Sequence, residues 1–489
     1  MPGSGRRLKR VKMAEEDILA ERRKKLAGLL ERGVEAYGRR YDRTNPIAAV
    51  TESSERVLIC GRLMAWRDHG KAAFADLEDF SGRIQLYFQR DRLGDDFSRV
   101  KDLDIGDFVG VAGRPFRTRT GMLTIGVEEF TLLSKSLRPL PEKWHGLKDV
   151  EIRYRQRYLD LLANPDTRKV FATRSRIIAG IRRQLDQLGF LEVETPMMHP
   201  IPGGAEARPF VTHHNALELE LYLRIAPELY LKRLLVGGLE RVYEINRSFR
   251  NEGISTLHNP EFTMLELYAA YGDYRLMAEL AELLILNAID ELFPDSGRRL
   301  SYQGREIDFT PPWPRLTLAE LLRERLDLPG WDDRSLLLER ARAGGLELDG
   351  SETVFDLLDL LFKFRIQPGL VRPTFVLDYP AEISPLAKSK PGQPGVVERF
   401  ELFIGGLEVG NAYSELNDPI DQERRFQAEV RTGRPDRPKV VDEDYIEALS
   451  YGMPPAGGLG IGLDRLVMIL VDTASIRDVI LFPILRPVR

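Results

Sequence analysis

Between residues 57 and 134 the sequence consists of five short apolar runs that are bounded by glycine. The runs are VLICGRLMAWRDHG, KAAFADLEDFSG, RIQLYFQ, FVGVAGRPFRT and GMLTIGVEEFTLL. Short apolar runs of this kind are typical of β-strands, and the glycines between them favour tight turns. Five strands in so short a segment predict a small closed barrel.

The barrel is one of at least two domains, because 489 residues exceed the size of an ordinary single core. Its strand number favours the oligonucleotide-binding OB-fold, which we place at residues 51–140. Residues 1–50 hold a basic tail and then an amphipathic helix from 14 to 32. Beyond the proline-containing linker SLRPLPEKWHG, helices alternate with strand pairs. We therefore predict an α+β domain at 141–489, with a helical elaboration at about 275–370.

The composition is that of a globular protein. Hydrophobic residues make up 43% and charged residues 30%, and no apolar run is long enough to span a bilayer. The N-terminal segment is charged rather than apolar, so we expect a cytoplasmic protein without membrane contact. The single cysteine, Cys60, excludes an intrachain disulfide and a cysteine zinc cluster. Because the net charge is only -4, contact with nucleic acid would require local basic patches.

Two period-two segments in the middle of the chain concentrate polar residues on one face. Alternation in RVYEINRSFR puts Glu244, Asn246 and Arg250 together, and alternation in EFTMLELY does the same for Phe262 and Glu266. We predict an antiparallel hairpin whose polar face is the floor of a pocket. A carboxylate buried among aromatic residues needs a cationic partner, and an arginine offers a forked donor to a carboxylate or phosphate. An exposed edge hairpin with solvated charges is the alternative.

The segment RFELFIGGLEVGNAYSELND predicts a second hairpin, because two apolar runs flank Gly405 and Gly406. With these glycines as the turn, Phe403 faces Glu408, and Glu401 lies diagonally across from Glu408 on the same face. Two carboxylates held in this way suit a divalent cation with oxygen ligands, such as Mg2+ shared with a phosphate chain. A solvent-facing acidic strand is the alternative.

The second strand of this hairpin also carries Asn411, Tyr413 and Glu415 on one face. Simple alternation places these three residues on the face of the sheet opposite to that of Glu408. A β-bulge at Gly410 is needed to bring both sets to one pocket.

A glycine-rich segment, GMPPAGGLGIGLDRLVMIL, runs into an apolar helix that opens near Asp464 and Arg465. Its glycine spacing matches neither of the common phosphate-loop patterns. The start of the helix would instead aim one arginine beside backbone that a ligand can approach closely. Taken alone, the segment indicates tight packing of a strand on a helix.

These three segments, together with LGFLEVETPMMHP at 188–200, resemble the signature motifs of the class II aminoacyl-tRNA synthetases, and in particular the lysyl-tRNA synthetases among them. Further stretches share the resemblance: GKAAFADLEDFSGRIQLY, RYRQRYLDLL, IPGGAEARPFVTHHNALELELYLRIAPELYLKRLL, YPAEISPLA and SIRDVILFP. The resemblance implies an antiparallel catalytic sheet flanked by helices, an OB-fold that reads the anticodon, and a homodimer interface near Pro196. It also implies activation of L-lysine with ATP to lysyl-adenylate, followed by transfer to the 3′-terminal ribose of tRNA(Lys).

The resemblance assigns roles to individual residues. Arg250 and Arg465 would be catalytic, the first on the α-phosphate of ATP and the second on the adenine or the γ-phosphate. The remaining ATP contacts would be Glu252, His258, Asn259, Phe262 and Glu401. The metal ligands for Mg2+ would be Glu401 and Glu408. The lysine pocket would comprise Gly204, Glu228, Glu266, Asn411, Tyr413 and Glu415. The anticodon contacts would be Phe74, Gln85 and Glu129.

The charge of the pocket agrees with this resemblance, since an ammonium-bearing substrate explains an acidic pocket. The carboxylate of lysine is ionised at pH 7, so its attack on ATP needs alignment and charge neutralisation rather than a protein base. A paralogue that modifies a lysine of a translation factor would share the catalytic domain, but such proteins typically lack the barrel. A silent regulatory protein is disfavoured because Arg250, Glu401, Glu408 and Arg465 are all retained.

Overall fold

The computed structural model describes residues 4–141, 147–205, 207–432 and 440–487, with the side chains of the first helix described from Glu15 onward. Residues 142–146 of the predicted linker and the side chains of the basic tail lie outside these residues. The chain divides into two compact units. The first comprises the residues up to Lys148 and Tyr158–Ala163, and the second comprises the rest of the chain. Among the described residues, no helix is both long and apolar enough to cross a membrane.

The first unit is built on a closed five-stranded barrel, as predicted. Its strands pair in the order β1-β2-β3-β5-β4. Its elements are α1 (Ser4–Glu31), β1 (Val57–Asp68), β2 (Ala72–Glu78), β3 (Arg83–Gln89), α2 (Arg90–Leu93), β4 (Phe108–Arg117) and β5 (Leu123–Ser134). The first helix begins at Ser4, so it includes the basic tail that was predicted to precede it. Lysine and arginine are good helix formers, which is consistent with this extension.

Alternation along the strands fills the barrel. The residues of β2 and β3 that point inward are Ala73, Ala75, Leu77, Ile84, Leu86 and Phe88, all of them buried. Glycine permits the close approach of strands that a small barrel requires. A Cβ at Gly113 would lie 2.2 Å from the carbonyl oxygen of Gly126, so no other residue fits there without a shift.

The remaining elements of the chain alternate helices with strands. The first of these are α3 (Val150–Arg155), α4 (Arg157–Ala163), α5 (Pro165–Gln187), β6 (Leu191–Glu192), β7 (Met198–His199), β8 (Phe210–His214), β9 (Leu219–Leu223), α6 (Glu228–Val236), β10 (Arg241–Phe249), β11 (Glu261–Ala270) and α7 (Tyr274–Leu292). They are followed by β12 (Arg299–Tyr302), β13 (Arg305–Asp308), β14 (Arg315–Thr317), α8 (Leu318–Leu326), α9 (Arg334–Ala343), α10 (Val354–Leu361), β15 (Thr374–Pro380), β16 (Val396–Ile404), β17 (Leu407–Ser414), α11 (Pro419–Thr432), α12 (Glu443–Ser450), β18 (Ala456–Gly462), α13 (Leu463–Leu470) and α14 (Ile476–Val479).

The second unit is organised by an eight-stranded sheet in the order β14-β15-β16-β17-β18-β11-β10-β6. Its six central strands pair antiparallel, as predicted, while the edge strands β6 and β14 run parallel to their neighbours. Gly405 and Gly406 form the predicted turn between β16 and β17, with φ values of 63° and 82°. Positive φ at both central residues is the geometry that a tight two-residue turn requires.

Helix α7 packs into the main core, although its residues fall in the predicted peripheral elaboration. Met277, Ala281 and Ile285 are fully buried. They belong to one hydrophobic cluster with residues of the central sheet. The helix is apolar around most of its circumference, which is the pattern of a buried helix. Helices α8 to α10 form a second cluster that includes Val376 of β15. The segment predicted as an elaboration thus contains one helix of the main core, α7, followed by the helices α8 to α10 of the second cluster.

Candidate active site

The two predicted hairpins both form, and strand β18 lies between them in the sheet. Glu266 of β11 lies opposite Glu244 of β10 on one side and opposite Gly460 of β18 on the other. Gly460 lies opposite Asn411 of β17, which in turn lies opposite Glu401 of β16. Directly opposed residues share one face of a sheet. This row therefore places polar side chains from both hairpins on the same face.

A β-bulge in the second hairpin brings Glu408 to the same face as the polar residues Asn411, Tyr413 and Glu415. Phe403 pairs with Glu408, as predicted, but Leu402 pairs with Gly410, so Val409 has no partner across the strand pair. The bulge lies one residue before the predicted position. An additional residue reverses the alternation beyond it. For this reason Glu408 and the polar residues after Gly410 border the same cavity.

A cavity of about 320 Å3 opens on this face of the sheet. The predicted residues that line it are Gly204, Glu228, Arg250, Glu252, His258, Asn259, Phe262, Glu266, Glu408, Asn411, Tyr413, Glu415 and Arg465. Glu401 lines an adjoining cavity of about 450 Å3, which shares Glu228, Arg250 and Glu408 with the first. The structure thus brings the residues predicted for ATP, lysine and metal to one region of the sheet.

One end of the cavity is strongly acidic. Glu228, Glu266 and Glu415 line it, and none of the three is more than 5% exposed. Burial and the neighbouring charge of Glu228 raise the pKa of Glu266 to about 8. The hydroxyl of Tyr268 donates to Glu266 at 3.2 Å, and the hydroxyl of Tyr413 donates to Glu228. In the absence of a ligand, Glu266 is therefore mainly protonated at pH 7.

The other end of the cavity is cationic. The Nε of Arg250 is buried and makes no hydrogen bond with the described residues, and its guanidinium carbon lies 5.2 Å from the centre of the Phe262 ring. Arg465 donates to the backbone oxygen of Glu408 at 2.8 Å and faces Nε2 of His258 at 3.3 Å. Burial and the nearby Arg465 lower the pKa of His258. Two arginines beside a neutral histidine form a site that suits an anion.

The predicted metal ligands already have protein partners. Glu401 accepts hydrogen bonds from Tyr379 at 3.0 Å and from Arg399 at 2.6 Å, while Arg465 lies 3.3 Å from the carboxylate of Glu408. Burial, and then the charge of Glu408, raise the pKa of Glu401 despite its arginine partner. Within the described ranges, no group of three or more histidine, cysteine or acidic residues is placed to hold a metal. The two carboxylates alone are an incomplete metal site, which phosphate oxygens could complete.

The glycine-rich strand β18 forms the floor of the acidic end. A Cβ at Gly458 would lie 2.0 Å from a carboxylate oxygen of Glu415 and 2.6 Å from the ring of Tyr268. The role of this segment is therefore not that of a phosphate loop, and it goes beyond tight packing of a strand on a helix. Its glycines leave the space that acidic and aromatic side chains occupy beside the backbone.

We expect Gly458→Ala to raise the KM for the ligand of the acidic end at least tenfold and to lower the free energy of unfolding by about 2 kcal/mol, because an overpacked site forces its neighbours to shift. Thermal unfolding and steady-state kinetics measure both effects. Gly462→Ala is the control for unfolding, since its Cβ would have Val409 O as nearest atom, at 3.7 Å. Equal melting temperatures for the two variants would contradict this account of the floor.

Sequence reasoning gave no role to two residues of the site. Tyr268 lines the cavity, in agreement with the alternation of EFTMLELY that predicts it on the face of Glu266. Asp464 accepts a hydrogen bond from the backbone N–H of Thr263 at 2.7 Å and pairs with Arg174, and so it fixes the start of the helix that carries Arg465. Its partners come from distant segments, so no local pattern could reveal this role.

On the barrel, Phe74 and Gln85 lie on the outer faces of neighbouring strands. The Phe74 ring packs on that of Tyr87 with centroids 4.8 Å apart, and Gln85 accepts a hydrogen bond from Thr124 at 3.0 Å. Phe74 lies opposite Tyr87 in the β2–β3 pair, so it shares a face with Gln85, two residues away. Glu129, the third predicted contact, forms an ion pair with Arg56 at 2.7 Å.

Comparison with known proteins adds the family. A family model described as tRNA synthetases class II (D, K and N) matches residues 149–486, and one for the OB-fold nucleic acid binding domain matches residues 57–133. The chain therefore belongs to the class II tRNA synthetases. The lysine–tRNA ligase of Moorella thermoacetica is 54% identical over 485 residues, which cover 97% of this chain and 99% of that protein. The lysine–tRNA ligase of Bacillus subtilis is 49% identical over 96% of this chain and 97% of its own length. Within its class, the chain belongs to the lysine–tRNA ligase family.

Proposed function

We propose that this chain activates L-lysine with ATP to lysyl-adenylate and pyrophosphate, and then transfers the lysyl group to the 3′-terminal ribose of tRNA(Lys). The observation that carries this proposal is a single cavity with three buried carboxylates at one end and two arginines at the other. This polarity complements a lysine whose ammonium and carboxylate lie at opposite ends. Membership in a family of ATP-dependent synthetases supports the same reaction.

In the proposed complex the lysine ammonium enters the acidic end among Glu228, Glu266 and Glu415. Asn411 and Tyr413 form the adjoining wall. The lysine backbone then points toward Gly204, which also lines the cavity. A buried ammonium needs charge compensation, and these carboxylates provide it.

ATP would occupy the cationic end. Arg250, with its unused buried Nε, would bind the α-phosphate and neutralise charge as the lysine carboxylate attacks. Arg465 would bind the γ-phosphate or cover the adenine, which stacks on Phe262. The remaining contacts to the adenine or the phosphates would come from Glu252, His258 and Asn259. Asn259 has a buried Oδ1 without a donor among the described residues, so it can accept a hydrogen bond from the nucleotide.

Class II synthetases typically need a divalent cation, and the residues present fit one. We propose Mg2+ on Glu401 and Glu408, because two neighbouring carboxylates beside a phosphate site, the first largely buried and the second partly exposed, are the type of ligand that this ion uses. When bound, the cation would neutralise the phosphates of ATP. Arg399, which donates a hydrogen bond to Glu401, would hold that carboxylate in position.

The raised pKa of Glu266 predicts that lysine binding releases a proton. Below pH 8 the carboxyl must ionise before it can face the ammonium, so we expect the Kd for lysine to fall about tenfold from pH 6 to pH 7 and to level off above pH 8. Calorimetric titration at several pH values, in buffers with different ionisation enthalpies, measures both the affinity and the proton. An affinity independent of pH between 6 and 8 would contradict this assignment.

For the barrel we propose recognition of the anticodon by Phe74, Gln85 and Glu129. An aromatic ring on the outer face of a barrel can stack on an unpaired base, at about 1–3 kcal/mol per base. We therefore expect Phe74→Ala to raise the KM for tRNA about tenfold and to leave amino-acid activation unchanged. Phe80→Ala is the matched control, because Phe80 is 82% exposed in the turn after β2. Aminoacylation kinetics with the two variants would differ only if Phe74 is a base contact.

We also propose that the protein acts as a homodimer in the cytoplasm, where tRNA is charged for protein synthesis. Large apolar side chains are exposed at Leu191, Met197, Met198 and Val211, in and near the segment predicted for the interface. Sedimentation at micromolar concentration tests this assembly. A monomer at every concentration would refute it.

The direct test of the function is exchange of labelled pyrophosphate into ATP with lysine, aspartate or asparagine, the amino acids of the matching family model. Exchange with lysine alone is the expected result. Exchange with aspartate or asparagine would reassign the substrate. No exchange with any of the three would refute the enzymatic function and favour a regulatory protein.

A further inference from the structure

The guanidinium of Arg399, on β16, contacts residues of two predicted sites at once. Its Nε donates a hydrogen bond to Oδ1 of Asn411 at 3.0 Å, and one terminal nitrogen donates to Glu401 at 2.6 Å. The other terminal nitrogen donates to the backbone oxygen of Ile383 and to the hydroxyl of Ser384, both at 2.9 Å. Arg399 therefore connects a residue predicted for the metal to a residue predicted for lysine.

The surroundings of Arg399 hold its guanidinium in one orientation. The side chain is only 15% exposed, and its terminal carbon lies 4.8 Å from the centre of the Tyr379 ring. The hydroxyl of Tyr379 donates to the second carboxylate oxygen of Glu401 at 3.0 Å. Since all three nitrogens of a planar group are engaged, the guanidinium has little freedom to turn relative to its partners.

These contacts determine which way the Asn411 amide faces. Arginine has only donors, so the amide atom that faces its Nε must be the oxygen of Asn411 and not the nitrogen. The reversed amide would set two donors against each other and leave both without an acceptor. Among the described residues, the amide nitrogen of Asn411 has no acceptor, and Asn411 lines both cavities.

The free N–H groups of Asn411 select the part of a substrate that they can contact. An amide nitrogen donates and does not accept, so it cannot serve an ammonium. At pH 7 both amines of lysine are protonated, and its carboxylate is the one group that accepts a hydrogen bond. Arg250 lines the same two cavities as Asn411, so a second donor to an anion lies in the same region.

We propose that Arg399 is a positioning residue that holds the amide of Asn411 with its N–H groups toward the cavity, so that Asn411 donates to the carboxylate of lysine. This proposal rests on the proposed function, which assigns the cavity to lysine. Arg399 acts through Asn411 and not by contact with the substrate. Because the same guanidinium holds Glu401, the amino-acid site and the proposed Mg2+ site share one support.

The orientation of the amide is tested with Asn411→Asp and two ligands, lysine and cadaverine, which is lysine without its carboxylate. The aspartate still offers Arg399 an acceptor, but it presents an oxygen where the N–H groups pointed. Calorimetry at pH 7.5 without ATP measures both Kd values. We expect the Kd for lysine to rise at least about tenfold and that for cadaverine not to rise. Unchanged or tighter binding of lysine would overturn the proposal.

The role of Arg399 itself is tested with Arg399→Lys, which retains the charge but loses the fork. We expect the Kd for lysine to rise about tenfold and that for cadaverine to change less than twofold. In an Asn411→Ala background the same substitution should change the Kd for lysine less than twofold, because its partner is already absent. An equal loss for both ligands, or the same loss in both backgrounds, would overturn the proposal, since either result indicates a general distortion of the cavity.

Two further outcomes are decided by the same measurements. If Arg399→Lys does not fold, the two ligands of Asn411→Asp still decide, since a loss that cadaverine shares overturns the proposal and a loss confined to lysine supports it. Lysine binding and pyrophosphate exchange by the unmodified protein are the reference. Their absence would refute the proposed function and this proposal with it, whereas normal binding there, with variants that fail the tests above, refutes only the role of Arg399.

Discussion

Arg250→Gln is expected to lower kcat of lysine-dependent pyrophosphate exchange about a thousandfold. Arg250 is the one predicted phosphate ligand with a buried nitrogen that has no partner among the described residues. Removal of one preorganised donor to a developing charge costs about 10²–10³ in rate, and the guanidinium also contributes a full charge. Glutamine retains a polar side chain of moderate length, but it lacks the positive charge and the forked donor geometry of the guanidinium group.

The matched control for this variant is Arg247→Gln. Arg247 lies on β10, which ends directly before Arg250, and its half-exposed side chain is 3.8 Å from Glu261 in an ion pair. We expect Arg247→Gln to change kcat less than twofold, in keeping with the small energies of exposed ion pairs. A loss below tenfold for Arg250→Gln, with its melting temperature unchanged, would remove Arg250 from the catalytic machinery.

Glu266→Gln is expected to raise the lysine KM about a hundredfold with little change in the ATP KM. The amide has nearly the same shape, but it cannot supply the charge that a buried ammonium requires, and loss of one partner in such a pair costs about 2–5 kcal/mol. Pyrophosphate exchange at varied lysine and varied ATP separates the two constants. Glu261→Gln, on the same strand but half-buried beside Arg247, is the control and should alter neither.

The same variant should be at least as stable as the unmodified protein without lysine. The folded-state pKa of Glu266 is about 8, above the value of 4.5 for an unperturbed glutamate. The folded protein therefore retains a proton that the unfolded chain has lost, and the free energy of unfolding falls as pH rises from about 4.5 to about 8. Glutamine has no such dependence. At pH 8.5 a melting temperature well below that of the unmodified protein would show that Glu266 stabilises the fold instead.

Local patterns were sufficient for much of the fold. The glycine-bounded runs predicted the barrel, which the structure has in a closed five-stranded form. Alternation and the turn at Gly405 and Gly406 predicted the two hairpins and the pairing of Phe403 with Glu408. These features depend on neighbours in sequence, because turn geometry and side-chain alternation are properties of short segments.

The roles of individual site residues came from resemblance, and the structure places them together without testing those roles. Glu228 illustrates the difference. In sequence it is a charged residue at the start of an ordinary helix, with no pattern to link it to Glu266 or Glu415. In the structure all three line one cavity.

The sequence by itself determined the barrel, the two hairpins and the faces on which their polar residues lie, because alternation and turn formation are local. Only the tertiary structure decided that β18 lies between the hairpins, that α7 is buried in the core and that Lys232 stands behind two carboxylates. These contacts join segments that are far apart in the chain, and local periodicity specifies which face is buried but not which segment covers it. The charge of the pocket is likewise a tertiary property, since desolvation and the proximity of other charges exist only after the chain has folded.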